Sequence, residues 1–128
     1  MIIGIGTDII EVERIRKNIE ADKGFIEKVY TVGERNYCQA KTNKAEHYAV
    51  RYAAKEAFFK ALGTGWRGGM AFNEIEVIND DLGKPELIIC GETKKYMDKL
   101  GEVNMYITLS HVKLMAVAFV VKIGRAHV

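Results

Sequence analysis

Arg51 to Gly65 constrains this chain more than any other stretch. It is rich in alanine, free of proline and closed by Gly63, the pattern of a helix with a left-handed end. At about 100° per residue, Ala45, Tyr48, Ala49, Tyr52, Ala53 and Ala57 gather on one side, and His47, Arg51 and Lys55 on the other. The second side is the one expected to face water. Glu56 and Lys60 break the order, because they fall within the apolar side, one turn apart. An uncompensated buried charge costs several kcal/mol, about ten times what an exposed i,i+4 ion pair returns. Two readings remain open: a structural Glu–Lys pair, or a wet cleft where Glu56 meets a cation and Lys60 an anion.

The 128 residues suffice for one core. We expect a single domain over residues 1–123 and a patternless, loose tail over 124–128. Hydrophobic residues make up 48% and charged residues 28% of the chain, as in ordinary globular proteins. No apolar run reaches the ~20 residues that span a bilayer, and the N-terminus lacks a basic, then apolar leader. A cytoplasmic protein without a membrane partner is expected. The net charge of +2 is too weak to suggest nucleic acid. Cys38 and Cys90 suggest two buried free thiols.

Met1 to Ile10 reads as a strand interrupted by Gly4 and Gly6, and a strand glycine often marks close approach by another backbone. Asp8 is expected where strand gives way to helix, either as an N-cap or as a ligand for a hard cation. Val12, Ile15 and Ile19 form a helical stripe. Phe25 to Tyr30 continues the helical pattern, and Thr31 with Glu34 has the spacing of a capping box. Beyond Gly65, Phe72 to Ile78 and Glu86 to Cys90 read as a hairpin about the turn at Asp80 to Pro85. Thr93 to Leu100 reads as a helix, and Met105 to His111 and Met115 to Val121 as strands. Pro85 belongs at a strand start or edge.

Two distant carboxylates, Asp8 and Glu56, would make a minimal oxygen site for Mg²⁺, an ion that fills its shell with waters and substrate phosphates. Lys60 would then meet the same phosphates as a point charge. No Walker loop or nucleophile elbow is present. Four places in order, Gly6-x-Asp8-Ile9, Arg51 through Gly65, Gly83-Lys84-Pro85 and Leu109-Ser110-His111, resemble the short 4′-phosphopantetheinyl transferases, the holo-[acyl-carrier-protein] synthase family with its K-E-A-x-x-K core.

The resemblance implies an α+β fold, a small antiparallel sheet packed against a long Ala-rich helix and shorter helices. It implies a Mg²⁺-dependent transferase of fatty acid biosynthesis. The 4′-phosphopantetheine arm of coenzyme A would pass to a serine of apo-acyl carrier protein, releasing adenosine 3′,5′-bisphosphate. By this likeness Asp8, Glu56 and Lys60 are catalytic, and Asp8 and Glu56 hold the metal. Glu56 or a metal-bound water takes the serine proton. Arg51, Lys55, Lys60, Gly63, Gly65, Pro85 and His111 bind the coenzyme, and Arg14 and Lys17 the acidic carrier. A homotrimer with sites between subunits is also implied. The chain departs from the family at Val112, Lys113 and Leu114, where a small hydroxyl residue and polar residues usually stand. The alternative is a non-catalytic module that binds coenzyme A or a nucleotide.

Overall fold

The computed structural model describes residues 1–63 and 69–124. Among them lie five strands and five helices, in the order β1 (Ile2–Glu11), α1 (Val12–Ala21), α2 (Phe25–Val29), α3 (Val32–Gln39), α4 (Lys44–Leu62), β2 (Ile75–Asn79), β3 (Pro85–Ile89), α5 (Gly91–Lys99), β4 (Val103–His111) and β5 (Met115–Gly124). An antiparallel sheet of order β1-β5-β4 lies beside the β2–β3 hairpin. The expected α+β architecture is therefore present.

Helix α4 packs across β1 and β5, and the side-chain alternation of β1 sets the terms of that contact. Its inward row is Gly4, Gly6, Asp8 and Ile10, opposite Lys122, Val120, Ala118 and Ala116 of β5. A Cβ at Gly6 would collide with Ala57 O and lie 2.7 Å from Ala61 N, and one at Gly4 would collide with Ala61 O. The two glycines thus let the α4 backbone rest on the strand, and Ala57 and Ala61 keep the helix side equally slim. The outward row of β1 is inverted in character: Ile5 is 60% and Ile9 64% exposed. Phe119 of β5 and Tyr106 of β4 are also exposed.

Several sequence expectations change. Asp8 lies inside β1, four residues before the first residue of α1, and Glu11 occupies the N-cap of α1. Phe72–Glu74 forms a 3₁₀ turn before β2. Cys38 is buried, with burial pushing its thiol up to about 12, whereas Cys90 is exposed. Gly124 ends β5 and donates its N–H to Met1 O at 3.0 Å; residues 125–128 of the expected tail lie outside the described residues.

The largest change concerns α4. Arg51 and Lys55 are 2% and 0% exposed, so the side expected to meet water is buried as well. Lys55 Nζ donates to Glu34 Oε1 at 2.8 Å, to Phe72 O at 2.9 Å and to Ile75 O. Glu34 completes the expected capping box with Thr31. Its Oε2 accepts from Val77 N at 2.9 Å. This ion pair fastens α4 to α3 and β2 on the side away from β1.

Gly6→Ala should lower unfolding stability by about 1–3 kcal/mol, because the backbones must separate. Urea denaturation measures the loss, and an unchanged midpoint would refute the close seating of α4.

Candidate functional site

The seating of α4 on β1 brings the helix's last turns against Asp8. Lys60 Nζ lies 3.2 Å from Asp8 Oδ1 and 2.9 Å from Thr7 O. The lysine side chain is 53% and the aspartate 18% exposed, so the pair lines an open edge of the fold. Glu56 sits half-buried one turn before Lys60. Tyr52, a turn earlier again, rests between Phe25 and Phe72, at ring distances of 6.1 and 5.8 Å. Burial pushes the Tyr52 hydroxyl above its usual range, the Glu56 charge adds to this, and Arg14 opposes it; Asp8 adds a smaller push. Both carboxylates and Arg14 therefore bear on one hydroxyl. Arg14 and Lys17 are exposed on α1.

This donor set fits a hard divalent cation. Both carboxylates act on the Tyr52 hydroxyl, and the ammonium of Lys60 already occupies the place of a positive charge beside Asp8. Among the described residues no cluster of three or more His, Cys, Asp or Glu side chains forms. A metal held here would need substrate phosphates and water for the rest of its shell.

A second constellation lies on the other side of α4. A cavity of about 190 Å³ is lined by residues that include Tyr37, His47, Arg51, Asn79, Pro85 and His111. Arg51 Nη2 donates to Asn79 Oδ1 at 2.8 Å, and its guanidinium lies 4.2 Å from the Tyr37 ring centroid. Its Nε has no hydrogen-bond partner among the described residues. Among the described residues no carboxylate pairs with Arg51. A buried guanidinium without a counter-charge is costly, so this cavity favours an anionic ligand.

The expected residues thus fall into two groups. Asp8, Glu56 and Lys60 come together at the open edge, and Gly63 ends α4 nearby with φ 85°. Arg51, Pro85 and His111 come together at the cavity. Five residues separate Arg51 from Glu56, which turns them about 140° apart around the helix. Lys55 joins neither group: its three protons already meet three acceptors inside the core, leaving none for a coenzyme. Gly65 lies outside the described residues.

Tyr52, Glu46, His47 and Asn79 were not singled out by sequence. Tyr52 reads as an ordinary apolar-face residue, and no local pattern joins Glu46 to His111, 65 residues away.

The model of the 4′-phosphopantetheinyl transferase superfamily matches residues 4–118, and the chain belongs to that family. The chain is 46% identical over 123 residues to a holo-[acyl-carrier-protein] synthase of Solibacter usitatus, covering 94% of this chain and 98% of that one. The fold superposes on the crystal structure of holo-[acyl-carrier-protein] synthase from Neisseria meningitidis with a TM-score of 0.87, at 36% identity over 97% of this chain and 100% of that one. It also superposes on the Bacillus anthracis synthase in complex with CoA (3′,5′-ADP), with a TM-score of 0.79 at 42% identity over 95% and 96% of the two chains.

The two lysines should separate in experiment. Lys55→Met leaves Glu34 buried without its partner and should cost about 3–5 kcal/mol of stability. Lys60→Ala, at an exposed position, should stay within about 0.5 kcal/mol of the parent. Equal losses in denaturant titrations would contradict this assignment.

Proposed function

We propose that this protein transfers the 4′-phosphopantetheine of coenzyme A to a serine of an apo-acyl carrier protein, with Mg²⁺, releasing adenosine 3′,5′-bisphosphate. The observation that carries the proposal is the meeting of Lys60 with Asp8, one helical turn from Glu56. Family membership and the relatives named above agree with it.

Asp8 and Glu56 would hold the metal, which when bound supplies positive charge to the pyrophosphate. Lys60 meets charge developing on the same phosphates as the serine oxygen attacks the β-phosphate and the bond to the adenosine-side phosphate breaks. Such chemistry depends chiefly on placement and electrostatics. Of the chain's own groups here, we assign Glu56 to accept the serine proton. Arg14 and Lys17, exposed on α1, supply the positive face for an acidic carrier.

Coenzyme A carries a further phosphate at the ribose 3′ position, and the Arg51 cavity suits it. The open edge and that cavity lie on opposite sides of α4, so one coenzyme reaches both most simply by lying between two copies of the chain. The uncovered Ile5 and Ile9 on the outer sheet face favour association through that face. We assign a homotrimer with sites between subunits.

Incubation with coenzyme A, Mg²⁺ and an apo-carrier should add one phosphopantetheine to the carrier, read by intact-mass spectrometry. Asp8→Ala and Glu56→Ala should abolish the shift while the chain stays folded. Lys60→Ala should lower kcat by roughly 10²–10³. Coenzyme A binding without turnover, under conditions where a control enzyme works, would favour a non-catalytic module instead.

Mixing tests the shared site. Asp8→Ala and Arg51→Gln chains, each impaired alone, should regain activity when dissociated and reassembled together, since some mixed interfaces then hold one intact site. Absence of any recovery would place each site within a single chain.

A further inference from the structure

One residue lining the cavity, His111, is held from behind by a carboxylate that the proposed reaction does not use. Glu46, in the first turn of α4, has its Oε1 2.9 Å from Nδ1 of His111, the last residue of β4. Both are part-buried, with side chains 17% and 26% exposed. The His47 ring stands edge-on to His111 at 4.9 Å and 65°, and Tyr37 backs His47 at 5.6 Å. Tyr37 is the same ring that carries Arg51 and, at 4.8 Å, Lys41. One packed series therefore joins Glu46, His111, His47, Tyr37 and Arg51 around the cavity.

We propose that Glu46 is a positioning residue for the coenzyme: it fixes His111 so that the imidazole and Arg51 together grip the ribose 3′-phosphate. The assignment rests on the function proposed above. With Glu46 accepting from Nδ1, a phosphate that also accepts from Nε2 requires a proton on both ring nitrogens. The carboxylate also fixes the ring's rotation, as second partners of ligand histidines do at metal sites. His47 packs against the ring without adding charge. Burial, and then the positive charge of His111, Arg51 and Lys41, push its ionisation down to about 4, against a smaller opposing pull from Glu46. The charged groups around His111 are thus Glu46, Arg51 and Lys41, with His47 neutral near pH 7.

The test compares coenzyme A with 3′-dephospho-coenzyme A in steady-state transfer. Glu46→Gln should raise KM for coenzyme A about tenfold, the loss of one charge-assisted hydrogen bond. Its kcat should stay within about twofold, and KM for the dephospho compound should not move. Glu46→Asp should recover part of the loss. An equal rise for both coenzymes, a fall in kcat alone, or no change would overturn the proposal, since a merely structural carboxylate cannot discriminate by the 3′-phosphate. Calorimetry separates this inference from the function itself. Parent protein that never turns over refutes the transferase reading. In the same protein, Glu46→Gln should weaken adenosine 3′,5′-bisphosphate about tenfold and leave adenosine 5′-monophosphate unaffected. Equal binding of the bisphosphate by parent and variant, or none by the parent, would refute the role of Glu46. This binding arm also serves if the variant turns over too slowly to assay.

Discussion

The rest of the structure depends on how closely α4 can approach β1. Where a side chain would ordinarily separate a helix from a strand, Gly4 and Gly6 offer none, and Ala57 and Ala61 offer only methyl groups. The inward row of β1 then continues to Asp8 without a change of strand, so the aspartate must face the same helix. With the backbones this close, Lys60 needs no unusual reach to touch it. Asp8, Glu56 and Lys60 are thus placed by two rigid elements, and a loop is not asked to do it. A larger residue at either glycine would act on the site through geometry, although neither glycine carries any chemistry.

The opposite side of α4 is held by a different kind of force. Glu34 satisfies a helix N-terminus, the Val77 amide and the Lys55 ammonium at once. Burial pulls the Lys55 ionisation down and Glu34 opposes it. A buried pair of this kind adds little net stability against an apolar alternative, yet it is costly to break. Its contribution here is geometric, because α3, α4 and β2 must all be in place before the lysine finds its acceptors. The helix is clamped between an uncharged close contact and a saturated ion pair. Its rotation about its own axis is therefore fixed, and so are the directions of Glu56 and Arg51.

Local patterns were legible to the extent that their causes are local. The capping box at Thr31 and Glu34, the left-handed glycine ending α4, the hairpin with Pro85 at a strand start and the alternation in β4 all depend on neighbours within a few residues. The glycines of β1 were readable too, since only close approach makes them useful in a strand. Helical rotation failed on Arg51 and Lys55. It assumes that one face of a helix meets water, whereas α4 is covered on both sides, by β1 and β5 and by α3 and β2. For the same reason Glu34 was seen only as a cap. Its other partners are 21 and 43 residues away, and no spacing rule reaches that far. Asp8 was expected at the strand-to-helix boundary, as an N-cap or a cation ligand; capping preference is a local argument, and the residue lies inside β1 with its carboxylate facing Lys60.

The division of the charged residues follows from these two contacts. An unpaired guanidinium inside a fold is tolerable only if an anion arrives, and Arg51 already has its neutral contacts in Asn79 and Tyr37. Lys60 differs, being largely in water and already beside a carboxylate, so a phosphate need only share it. A ligand that satisfies both cations must carry separate negative groups and reach around a helix whose two sides are closed by β1 and by β2. Within one chain that path passes through packed core. In the proposed assembly the path would run between two chains, and the exposed Ile5 and Ile9 of β1 would gain by being covered. The proposed assembly would act on two features at once: it would cover the exposed Ile5 and Ile9, and it would bring an anion to Arg51, which has no carboxylate partner among the described residues.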